Sequence, residues 1–120
     1  MSSPFQYYKR IDFSNVDSGD DETVYTTEYP LSLIQVVFTD LDISGTESVT
    51  AYAEAPFGEE DIVLAENFGA SNTTSGANLD QRTRCYSAVI DSGRDIKVNP
   101  IGENNVDGRV YVFRIQGNYE

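Results

Sequence analysis

The chain has 120 residues, 39% of them hydrophobic, with one cysteine, no histidine, and twenty acids against eight bases for a net charge of −12. That length suits one domain with its own core, and a lone Cys85 excludes an internal disulfide and is expected to pack as a small apolar residue. Without histidine, Ser-His and Cys-His nucleophiles are excluded, and the commonest transition-metal ligand is missing.

The first element is predicted at residues 5–13, where Phe5, Tyr7, Lys9, Ile11 and Phe13 recur at period two, as in a strand with one buried face. SNVDSGDDE, 14–22, is an acidic loop, and TVYTTE, 23–28, a short second strand that stops before Pro30. LSLIQVVFT, 31–39, is the most apolar run, six of its nine residues being Leu, Ile, Val or Phe. Apolar side chains at both parities predict a central strand covered on both faces. DLDISGTES, 40–48, is a turn-rich loop, and strand four follows at 49–55. DIVLAENF, 61–68, makes a fifth strand, with a helix over 59–67 as the competing reading because Glu, Leu and Ala favour one.

GASNTTSGANLDQ, 69–81, has no periodicity, and thirteen such residues suggest a functional or interface loop; its Asn72-Thr73-Thr74 sequon is read as part of that polar stretch. Residues 82–90 are predicted as one strand and 96–99 as another. The last, 109–116, places Tyr111, Phe113 and Ile115 on one face and Val110, Val112 and Arg114 on the other. Eight short strands separated by turns, without an amphipathic helix or a repeat, predict a single all-β domain, an antiparallel β-sandwich or jelly roll. The alternating terminal strands are expected nearer the sheet edges.

The charge is unevenly spread. From Ile11 to Gln81 there is no Lys or Arg but fifteen Asp and Glu, so the middle carries −15 and the rest +3. Nucleic acid is a poor partner for such a surface, and an acidic membrane is disfavoured for the same reason. Only Lys9 and Lys97 are lysines, while Asp outnumbers Glu eleven to nine. A Lys-poor, Asp-rich surface points to a salt-saturated medium, where screening relieves self-repulsion. MSSPFQYYKRIDF has no basic segment leading into an apolar one, and no apolar run approaches membrane-spanning length. The expectation is a chain without signal peptide or membrane insertion, used in the cytoplasm or in a particle assembled there.

Paired carboxylates have no specificity among twenty acids, so an enzyme is not expected. Asp40, Asp42 and Ser44, before Gly45, resemble the opening of a calcium loop, D-x-D-x-[DNS]-G. Ala51 stands where the bidentate Glu would be needed and the flanks read as strands, which excludes an EF-hand. Two readings remain, a looser Ca2+ site or a solvated Asp-Gly turn, and no other cofactor is indicated.

Phe5, Tyr7 and Tyr8 beside Lys9 and Arg10 form an aromatic and basic patch. Phe5 and Tyr7 either face the core or, with Arg82, Arg84, Arg109 and Arg114, help build an interface against an acidic partner. In small size, halophilic composition and β-rich pattern from Phe5 to Gln116, the chain resembles the small head decoration and turret proteins of haloarchaeal tailed viruses. The resemblance rests on overall character and carries over no residue-specific signature. It implies a virion location, a capsid or other virion protein as partner, and a homo-oligomer such as a trimer. The alternative is a carbohydrate- or receptor-binding β-sandwich, calcium-assisted through Asp40 and Asp42.

Overall fold

A computed structural model describes residues 4–40, 48–55, 60–68, 83–102 and 104–115, with the backbone alone for Asp40, Phe68 and Thr83. Among these residues nine strands follow in order: β1 Phe5–Val16, β2 Glu22–Thr26, β3 Leu31–Asp40, β4 Ser48–Ala53, β5 Ile62–Phe68, β6 Thr83–Cys85, β7 Ala88–Asp91, β8 Asp95–Ile101 and β9 Val106–Ile115. They form two antiparallel sheets, β1-β9-β3-β7 and β2-β8-β4-β5-β6, packed as a β-sandwich. The stretch Ile62–Phe68 is thus strand, not helix. The predicted loop at 69–81 lies outside the described residues.

Period-two patterning explains the layers. Along β9 buried and half-buried residues alternate from Val106 to Val112, and along β3 Ser32, Ile34, Val36 and Phe38 are buried while their neighbours are not. Val36 pairs with Val110 and Ile34 with Val112, so their side chains enter the core in shared rows. The other sheet meets them with Val49, Leu64, Ile96 and Val98, all fully buried. Each such side chain contributes about 1.5–3 kcal/mol by leaving water. Gly108 lies under the Phe13 ring: a Cβ built there would stand 2.5 Å from the Val37 carbonyl oxygen and closer still to the ring.

Polar loops are fastened rather than merely solvated. Asp17 accepts from the Asn105 amide and Asp20 from the Asp17 amide, each at 2.9 Å, while the Ser18 amide donates to Asn104 at 3.0 Å. The acidic loop therefore spends two carboxylates on backbone N–H groups and is tied to the β8–β9 turn. Thr27, 4% exposed, does the same for the β7–β8 turn. Its hydroxyl donates to the Asp91 carbonyl at 2.6 Å and accepts from the Arg94 amide at 2.9 Å.

Four expectations are corrected. Residues 82–90 are two strands in different sheets, β6 against β5 and β7 against β3, with the break at Tyr86 and Ser87. Tyr86 donates its amide to the Leu64 carbonyl, and Ser87 accepts from Gln35, so each side of the corner is held by a different sheet. The C-terminal strand β9 lies inside its sheet, between β1 and β3, though β1 is an edge. Cys85 is exposed, on β6, a three-residue strand at the edge of its sheet. Finally, β3 is central but covered on one face alone: Leu31 and Val37 are 46% and 38% exposed, since only one sheet packs on it.

Candidate interaction face

The outward side of β1-β9-β3-β7 gathers the residues of the site. A β-bulge between Tyr7 and Lys9 inserts Tyr8 as an extra residue in β1 and reverses its parity. Lys9, Ile11 and Phe13 consequently share the inward rows of Val112, Val110 and Gly108, while Phe5 and Tyr7 face outward opposite Ile115 and Phe113. One row, Tyr7–Phe113–Leu33–Val89, crosses all four strands and is apolar throughout. The rings of Tyr7 and Phe113 meet edge to face, centroids 5.8 Å apart. Tyr7 is 56% and Val89 48% exposed.

The next rows are polar but balanced. Arg10, Tyr111 and Gln35 form one, Asp12, Arg109 and Val37 another. Asp12 Oδ1 receives Arg10 Nε at 3.1 Å and Arg109 Nε at 3.8 Å, while Asp107 accepts from the Asn15 amide at 2.9 Å. Asp91, at the edge, is held by Arg94 at 2.7 Å. Among the described side chains, the charges of this face cancel.

At its end, the sandwich carries a cation–aromatic cluster. Lys9 Nζ lies 3.2 Å from Glu28 and 5.0 and 5.6 Å from the centroids of the Tyr8 and Tyr25 rings. Tyr8 packs edge to face on Tyr29 at 4.8 Å, and the Arg114 guanidinium lies 4.8 Å over the Tyr29 ring. Tyr25 donates to Glu28 at 2.9 Å. That hydrogen bond and the Lys9 ammonium hold the Glu28 carboxyl below its ordinary range, and Glu28 in return holds Lys9 above its own. Burial, then Glu28, pushes the Tyr25 hydroxyl well above the usual phenol range.

The outward side of the five-stranded sheet is different in kind. Tyr52 donates to Asp21, Tyr86 to Glu66 at 3.0 Å, and Lys97 lies 3.5 Å from Glu54 and 3.8 Å from Asp21. Val63 and Ile101 are also exposed there, at 37% and 58%, but they stand apart, opposite Tyr52 and Ser48, among these polar pairs.

Of the predicted interface residues, β1 and β9 thus bring Phe5, Tyr7, Arg10 and Arg109 onto one face, with Tyr8, Lys9 and Arg114 at its end. Arg84 stands on the other sheet, paired in register with Glu66. Arg82, Asp42 and Ser44 lie outside the described residues, and Asp40 is described by its backbone, which ends β3 opposite Asp107. No cluster of three or more metal-ligating side chains is found among the described residues, and no helix there is long and apolar enough to cross a membrane. Leu31, Leu33, Val37 and Val89 join the face unpredicted, although the apolar residues at both parities of β3 were a visible signal.

Comparison with known proteins yields no matching family, no matching characterised protein and no matching solved structure.

Proposed function

We infer that the chain is a non-enzymatic structural module that works by having its apolar sheet face covered by protein. The observation that carries this reading is the contrast between the two outward faces: one tied by polar pairs, with Val63 and Ile101 exposed singly, the other crossed by the continuous Tyr7–Phe113–Leu33–Val89 row. A contiguous apolar patch on a chain of net charge −12 is a costly exposure unless a partner covers it. In its finer form the proposal is a small head decoration or turret protein of a virus particle built in brine. There the acidic surface meets salt, and the face, together with the Lys9–Arg114 end, meets neighbouring virion subunits. The test is a density gradient of the producing culture at molar salt. The chain should band with particles, and Val89→Glu should release it; a chain found only as a free species overturns the reading.

The exposed Tyr7 ring favours a second reading, stacking on the C–H face of a sugar. Saturable glycan binding by a monomer, lost in Tyr7→Ala, would establish it over the first.

A further inference from the structure

We propose that the outward face of β1-β9-β3-β7 is a self-association surface, covered by the same face of a second copy of this chain in a two-fold homodimer. The inference rests on the reading that this face is covered by protein and names that protein. Charge is the first argument. Two copies of −12 each repel wherever their acidic surfaces meet. On this face Arg10 and Arg109 offset Asp12 and Asp107, and Asp91 is held by Arg94. Among the described side chains, two such faces meet without accumulating like charge.

Size is the second argument. β1, β9, β3 and β7 are 12, 10, 10 and 4 residues long; at about 3.3 Å per residue and about 4.8 Å per strand, the face measures about 570 Å2 in projection. Side-chain relief raises the accessible area above the projected one, toward the ~800 Å2 that each partner contributes to a standard interface.

Pattern is the third. The apolar rows, Phe5–Ile115 and Tyr7–Phe113–Leu33–Val89, occupy one end of the strands, and the Arg10, Asp12 and Arg109 rows the other. Either in-plane two-fold axis gives an isologous contact, but only the one running along the strands lays apolar end on apolar end; one across them sets the apolar rows on the charged rows. β3 and β9 of one copy then cover β9 and β3 of the other, and edge β7 covers edge β1, so that Val89 stands over Tyr7 of the partner subunit. Sheets stacked about 10 Å apart with strands about 30° off parallel are the ordinary geometry of such a contact. The unit is a dimer, not the trimer that the virion resemblance implies.

Sedimentation velocity on the full chain across the micromolar range tests this. Dimerisation should strengthen between about 0.1 M and about 1 M salt, as the Debye length falls from about 10 Å to about 3 Å and the repulsion between copies is screened. Val89→Glu should weaken the dimer at least about tenfold by burying a charge in it, with unchanged melting of the monomer. Val63→Glu, on the outward side of the other sheet, should leave it intact. Adding Tyr7→Lys to Val89→Glu should restore association, because the lysine of each copy then meets the glutamate of the other. A chain that stays monomeric at every concentration and salt, a dimer indifferent to Val89→Glu, or one that weakens as salt rises overturns the inference. If the monomer nevertheless bands with particles and Val89→Glu releases it, the cover is a different protein: the inference falls while the structural role stands.

Discussion

Tyr7 and Phe113 face each other across β1 and β9 with ring planes 71° apart, and both rings stand on the outward face of their sheet. An edge-to-face pair of this kind is worth about 0.5–1.5 kcal/mol beyond the area it buries. A double-mutant cycle with Tyr7→Ala and Phe113→Ala, read by urea unfolding of the monomer, should give a coupling near the lower end, since water reaches the Tyr7 ring. A coupling indistinguishable from zero would mean that the rings do not hold each other.

Leu33 and Ile34 are consecutive in β3 but belong to different surfaces. Ile34 is fully buried and pairs with Val112, whereas Leu33 lies in the outward apolar row. Ile34→Ala should cost about 2–5 kcal/mol of folding stability. Leu33→Ala should cost under about 1 kcal/mol, since its methyl groups are only partly withdrawn from water. Equal losses for the two, measured by denaturant melts, would mean that both sides of β3 are packed in the single chain.

Gly108 is required by contact, not by backbone conformation. The Phe13 ring and the Val37 carbonyl occupy the space a methyl group would need. Gly108→Ala should therefore destabilise by about 1–3 kcal/mol, the ordinary cost of overpacking a filled site. Phe13→Leu in the same chain should recover part of that loss, because it removes the ring that clashes. The melting temperatures of the single and double variants decide it.

Stability should fall on the alkaline side through two tyrosines. Tyr25 and Tyr52 have their hydroxyls pushed far above the ordinary value of 10.0, in each case by burial first and then by a hydrogen bond to a carboxylate, Glu28 or Asp21. A phenol raised in the folded state stabilises fully below pH 10, and that stability is lost as pH climbs and the unfolded chain ionises. On the acid side the sign reverses: the Glu28 carboxyl is held below 4.5, so its contribution is present above that value and fades as pH drops through the folded pKa. The melting temperature should thus be level between about pH 5 and pH 10 and decline beyond both ends. In Tyr25→Phe with Tyr52→Phe the alkaline decline should be shallower; an unchanged slope would assign it to other groups.

Most of the strands were legible because half-buried strands write their period into the sequence: the limits of β3 and β5 were foreseen to within a residue. What was not legible is non-local. The alternation of 82–90 runs on through Tyr86 and Ser87, and only the separate partners, β5 on one side and β3 on the other, split it. Nothing in VYVFRI tells that β9 lies inside its sheet, since a strand with one dry face and one apolar but open face alternates like an edge. In β1, Phe5 and Tyr7 keep perfect period with Ile11 and Phe13, yet point the opposite way. The candidate site was half visible for the same reason: its residue types stood out, but their shared face depends on the pairing of β1 with β9 and on one inserted residue.

That insertion has an evolutionary consequence. Because the bulge absorbs Tyr8 as an extra residue, the ladder on either side of it keeps the same two faces, and a chain one residue shorter before Lys9 would pair Tyr7 with Phe113 as before. Removing Tyr8 would therefore leave Phe5 and Tyr7 opposite Ile115 and Phe113 on the outward face, and would take away only the ring that packs on Tyr29 and lies beside Lys9. A lineage could therefore gain or lose the aromatic cluster at the end of the sandwich by a one-codon change in length, without altering the open face or any side chain that packs the core.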